Sequence, residues 1–142
     1  MTESSPLRTR ARKTAPTPAR PRRPRLPKAI TLAVEAAQGR KALDMAVLDL
    51  RKSDAFTDFF VIATGANPRQ VHAIADAIEA ALKAEGVRPS NVEGYQRAEW
   101  VLLDYFDFVV HVFSPTARAF YGLERLWATA THVPVADDTP GA

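Results

Sequence analysis

Segments of helical and strand-like pattern alternate along a chain of single-domain size, which predicts an α/β sandwich of order αββαββα, with about four mixed strands and three helices. Three observations carry that expectation. The run Phe59-Phe-Val-Ile-Ala-Thr64 is apolar on both sides, the pattern of a central strand covered on both faces. After Asn67, apolar residues recur at helical spacing. The chain has 142 residues, enough for one ordinary domain and too few for two.

Ile30 to Ala37 reads as a short first helix, with Pro27 near its start and Gly39 to end it. Asp44 to Leu50 is a strand, with Met45, Val47 and Asp49 on one side and Ala46, Leu48 and Leu50 on the other. The polar loop RKSDAFTD leads to the central strand, and Gly65-Ala66 turns the chain into the long helix. Asn67 can accept from orphan N–H groups there, Pro68 has the fixed φ suited to a first helical position, and Gln70 can reach back to complete a capping box. Val71, Ile74, Ala75, Ile78 and Leu82 form the buried stripe of that helix, which runs to about Glu85 before Gly86. Beyond a second polar loop, Trp100 to Asp104 and Asp107 to Phe113 read as strands joined at Tyr105-Phe106 in an antiparallel hairpin. Ser114-Pro115 then opens a last helix reaching about Thr131, which would turn Phe120, Leu123 and Trp127 inward. The crossover between the second and third strands is expected to be a right-handed βαβ unit.

Charge divides the chain. Residues 1–28 hold nine Lys/Arg against Glu3 alone, a net of +8, while the remainder holds ten basic and fifteen acidic groups, a net of −5. The acidic body suits a basic partner and the basic tail suits a polyanion. Six of the 11 prolines also fall in the tail, which has almost no large apolar side chains. Residues 1–27 are therefore expected to be a disordered extension, 28–133 the folded domain, and 134–142 a shorter disordered end. The tail has three readings: an extension without a dedicated role, a loose contact with the phosphates of an RNA partner, or an organellar transit peptide whose prolines count against it. There is no cysteine, hence no disulfide framework or thiolate metal site. With no apolar run of the ~20 residues that span a bilayer and no apolar stretch at the start, a cytoplasmic location is expected.

Residues Asp54 to Ile78, DAFTDFFVIATGANPRQVHAIADAI, and Trp100 to Trp127, WVLLDYFDFVVHVFSPTARAFYGLERLW, carry a more specific signal. In this order they resemble the two characteristic blocks of the ribosomal silencing factors, the Iojap-like family, and the resemblance covers roughly residues 29–130. It implies a sandwich related to the nucleotidyltransferases. The implied function is to bind ribosomal protein fourteen of the large subunit and sterically block joining of the small subunit, repressing translation when nutrients are limiting. One position departs from the family pattern: in D-Y-G-D the glycine is replaced here by Phe106. Since Phe tolerates φ > 0 poorly, either the turn is wider than two residues or Phe106 is strained.

Catalytic readings find little support in the residues. His72, His111 and His132 are the only histidines and no pair has metal-ligand spacing. Asp104 and Asp107 flank a turn that could in principle hold Mg²⁺, and Thr64 to Asn67 opens a helix with some anion affinity. No Asp-x-Asp pair follows that helix start, and no serine has a nearby histidine or a G-x-S-x-G turn. No catalytic, cofactor or metal site is expected, and the chain is not expected to be an enzyme.

Binding finds more. Trp100, Leu102 and Asp104 share one side of their strand, and Val101, Leu103 and Tyr105 the other. If one side packs on helices and the other stays bare, an aromatic, an aliphatic and a carboxylate lie in line as an anchor for a basic protein. The bland alternative is that Trp100 caps the core. The resemblance favours the anchor, because this strand is where the family meets protein fourteen; Trp100, Leu102, Asp104 and Tyr105 are the expected partner-binding residues. Phe120, Tyr121 and Trp127 are assigned mainly to the core, and Glu124 either to solvent or to the rim. Two other function classes stay open, a nucleotidyltransferase-like enzyme and a general RNA-binding module, as does a homodimer of the free protein.

Overall fold

In a computed structural model, residues 26–127 and 130–135 are described, and the expected disordered ends lie largely outside them. The elements are α1 (Lys28–Gly39), β1 (Leu43–Asp49), β2 (Phe59–Thr64), α2 (Pro68–Lys83), β3 (Asn91–Glu93), β4 (Trp100–Asp104), β5 (Phe108–Phe113), α3 (Pro115–Tyr121), α4 (Leu123–Leu126) and β6 (Thr131–Val133). The α/β class and the expected core order are present, with two short strands added. The strands form one six-stranded sheet in the order β3-β4-β5-β2-β1-β6. Every residue of β2 and β5 is buried, as two central strands covered on both faces require.

These two strands are the parallel pair, and every other neighbouring pair is antiparallel. That corrects the expected connection. The chain leaving β2 through α2 does not return beside it as β4. It first lays down β3 and β4 at the sheet edge, and only β5 docks along β2.

Helix α2 begins as its residues dictate. Asn67 Oδ1 accepts from the Gln70 N–H at 2.9 Å, and Gln70 Oε1 accepts from the Ala66 N–H at 2.6 Å. The Gln70 amide also donates to the carbonyls of Arg40 and Lys41, which ties the α1–β1 turn to the start of α2. Val71, Ile74, Ala75, Ile78 and Leu82 are all buried, together with Ile30, Ala33, Val34 and Ala37 of α1. Both helices cover one face of the sheet, over Val47, Val61, Val101, Leu103 and Val110. Leu26 and Val135, just outside the expected limits of 28–133, pack against this core.

The opposite face carries Leu48, Phe60, Ile62, Val109 and Phe113, covered by Ala117, Leu123 and Trp127. Its cover is slighter because the last helix is not continuous. Gly122 adopts φ +53 and caps α3, and four residues of α4 follow at a new angle. The change of phase overturns one expectation. Leu123 and Trp127 face the core, but Phe120 is 76% exposed and Tyr121 45%.

The β4–β5 connection is tight and strained, with the Tyr105 N–H donating to the Phe108 carbonyl at 2.9 Å across it. It contains Tyr105, Phe106 and Asp107, with the Asp107 N–H donating to the Tyr105 carbonyl at 2.9 Å across Phe106 at φ +74. This is a γ-turn of the left-handed kind, which L side chains adopt at a cost. Asp104 Oδ1 accepts from the Phe106 N–H at 2.8 Å and Thr57 Oγ1 donates to the Phe106 carbonyl at 2.8 Å, holding the turn in place.

Candidate partner-binding surface

The exposed side chains of the sheet lie at its two edges, on β6 and the start of β1 at one and on β3 beside β4 at the other. There Trp100, Leu102 and Asp104 alternate with the buried Val101 and Leu103, each half-buried on the thinly covered face. The strand alternation brings these three expected residues together. It does not bring Tyr105 with them. Tyr105 is 7% exposed, lies among the helix-facing core and stacks on Phe108 with ring centroids 4.8 Å apart. Its placement follows from the period of two along the strand, which sends it to the side opposite Asp104. Burial raises the Tyr105 phenol, with a smaller contribution from Glu79, to about 12.

Trp100 is half-buried and well braced. Its indole N–H donates to His111 Nδ1 at 3.0 Å, and its ring lies 5.2 Å from Phe113 and 4.5 Å from Tyr121. Phe120 meets Tyr121 edge-on at 5.0 Å. An aromatic ladder thus runs from the sheet edge onto α3 and ends in a ring exposed to solvent. The inward assignment of Phe120 and Tyr121 hid this; the glycine at 122 was the available signal, since an αL cap resets helical phase.

Strand β3 adds polar neighbours. Asn91 pairs with Asp104 and Glu93 with Leu102, so both lie on the same face as Trp100. The Asn91 amide donates to Glu93 Oε2. Glu93 and Asp104 place carboxylates beside the aromatic and aliphatic centre. Glu124 is held in an ion pair: Arg118 donates to both of its carboxylate oxygens at 3.0 and 2.8 Å and to Thr64 Oγ1 at 2.8 Å. That bidentate pairing holds the Glu124 carboxyl below its ordinary range.

The features that would serve catalysis have other uses. The Ala66 and Gln70 N–H groups at the start of α2 are taken by the capping side chains. A Cβ at Gly65 would come within 2.7 Å of the Val71 backbone, so this glycine permits close helix–strand packing. His72 bonds the Tyr95 carbonyl and stacks on its ring, and His111 is buried in the sheet. Among the described residues no group of His, Cys, Asp or Glu is placed to hold a metal ion, and no helix is long and apolar enough to cross a membrane.

Comparison with known proteins places this architecture. The family model described as "Ribosomal silencing factor during starvation", RsfS, matches residues 23–141. A ribosomal silencing factor RsfS from Halalkalibacterium halodurans is 39% identical over 104 residues, which is 73% of this chain and 89% of the relative. Another RsfS, from Chromobacterium violaceum, is 41% identical over 96 residues, covering 68% of this chain and 79% of the relative. An X-ray structure of a Chromobacterium violaceum protein superposes with a TM-score of 0.69 at 35% identity, covering 81% of this chain and 97% of that one. Matched along most of its length by the family and by full-sized relatives, this chain belongs to the ribosomal silencing factors of the RsfS family, which are regulators and not enzymes.

Proposed function

We propose that this protein binds ribosomal protein fourteen on the free large subunit and holds off the small subunit, repressing translation when nutrients are limiting. The observation that carries the reading is the half-exposed line Trp100–Leu102–Asp104 on the thinly covered face of the sheet. An aromatic anchor next to an aliphatic side chain supplies desolvated contact area, and carboxylates at the rim favour a basic partner. Family membership supports the same partner class. The mechanism is steric. A domain of this size seated on the joining face occupies space that the small subunit needs, and no chemistry is required of it.

The basic segment 1–25 has a secondary role in this reading, adding salt-sensitive contact with nearby RNA phosphates. Sucrose-gradient sedimentation with purified subunits tests the proposal. The protein should co-migrate with the large subunit and not the small one, and should lower the yield of joined ribosomes when added before mixing. Equal association with both subunits, or with bare ribosomal RNA, would favour a general RNA-binding module instead.

A further inference from the structure

His111 sits in β5, 4% exposed, between Trp100 and Phe60, with the Phe60 ring edge-on at 4.6 Å. A neutral imidazole has one acceptor nitrogen and one N–H, and an indole nitrogen can only donate. The 3.0 Å contact from Trp100 Nε1 to His111 Nδ1 therefore requires a bare Nδ1 and puts the imidazole proton on Nε2. Nε2 is buried without a hydrogen-bond partner. An apolar residue of similar size would fill this position without leaving a buried N–H orphaned. What histidine supplies there, and leucine would not, is an acceptor for the indole.

From this geometry we infer that His111 is a positioning residue for the docking surface, and the inference rests on the reading of Trp100 as partner anchor. Trp100 faces Phe113 directly across the β4–β5 pair, while His111 faces Leu102. The bond to His111 therefore pulls the indole diagonally across the sheet and fixes its side-chain rotamer. It also turns the only polar atom of the side chain inward. The partner meets an indole that is already ordered and has no N–H to desolvate, so less conformational freedom is lost on binding. Tyr121, at 4.5 Å from the indole, closes the other side.

The test uses ¹⁵N-labelled full-length protein, whose two tryptophans give two indole N–H signals, with Trp100→Phe to assign them. In the wild type, imidazole ¹⁵N shifts should show Nδ1 bare and Nε2 protonated, and the Trp100 indole proton should be protected from exchange. The opposite tautomer would overturn the inference without any variant. His111→Leu should speed that exchange and weaken large-subunit binding about 10-fold, the factor expected for one hydrogen bond. His111→Asn, whose Oδ1 can take the place of Nδ1, should restore most of both. In a Trp100→Phe background His111→Leu should change affinity by less than about 2-fold, because its effect passes through the indole. An equal loss in both backgrounds, or unchanged exchange in His111→Leu, would assign His111 to the scaffold alone. If the wild type fails to bind the subunit, the anchor reading falls, while the tautomer and exchange measurements still decide whether His111 orders Trp100.

Discussion

At the scale of single residues, three side chains make quantitative commitments. Phe106 occupies φ +74 with 78% of its surface exposed, so it gains little packing in return for left-handed strain. Replacing it by glycine should raise stability by about 1 kcal/mol, the strain relieved less the added freedom of the unfolded chain. A higher denaturant midpoint at unchanged slope would show it; a lower midpoint would mean the ring packs in a way its exposure does not suggest. His111 sets an acid limit. Burial pulls its pKa from 6.5 down to about 3, so the folded protein keeps it neutral while the unfolded chain takes up a proton below 6.5. Its contribution is complete above pH 6.5 and is lost as pH falls toward 3. Asp49, held low chiefly by its bond with Arg51, and Glu124, held low by Arg118, reinforce the decline in the carboxylate range. Tyr105 sets an alkaline limit of the opposite sense. With its phenol raised to about 12, stability is retained below pH 10 and lost as the unfolded chain ionises between 10 and 12. Thermal melts across pH on wild type, His111→Leu and Tyr105→Phe check both limits, and each variant should flatten its own side of the profile.

At the scale of elements, the docking strand depends on a glycine. Gly94 adopts φ +75, and a Cβ there would lie 2.1 Å from the Trp100 carbonyl oxygen, which is backbone and cannot swing aside. Gly94→Ala should therefore cost about 2 kcal/mol or more and shift the start of β4. Equilibrium unfolding should show the loss, and an unchanged midpoint would mean that the loop from Gly94 to Ala98 yields freely. The same elements show what was legible in the sequence. β2 and α2 were readable because long apolar runs and helical stripes are local patterns, and the Asn67-Pro68-Gln70 start was readable because capping is local chemistry. β3 and β6 were missed, being three residues each, and β6 is defined by a partner distant in the chain. The spacing of Phe120, Leu123 and Trp127 suggested one helix, and the left-handed Gly122 broke that phase. In the candidate surface, alternation along β4 indicated Trp100, Leu102 and Asp104. The diagonal bond to His111 was hidden, because cross-strand register cannot be read from one strand.

At the scale of the molecule, a mildly acidic domain is joined to a basic segment, and the two should act separately. The Pro27 carbonyl accepts from the Ile30 and Thr31 N–H groups, and Leu26 packs on the core. Deleting residues 1–25, with eight Lys/Arg, should leave the melt unchanged and make ribosome binding less dependent on salt. A lost cooperative transition would show that this segment belongs to the domain. Whether the half-buried line on β4 is the docking surface is decided by titrating purified large subunits with wild type, Trp100→Ala and Asp104→Lys, with melts of each. Trp100→Ala should weaken binding about 30-fold or more, as truncation of a buried interface aromatic does, with a partial loss of stability of about 2 kcal/mol from its contacts with Phe113 and Tyr121. Asp104→Lys should weaken binding most at low salt while the domain stays folded. Wild-type affinity in both folded variants would contradict the account and put the ribosomal contact elsewhere on the molecule.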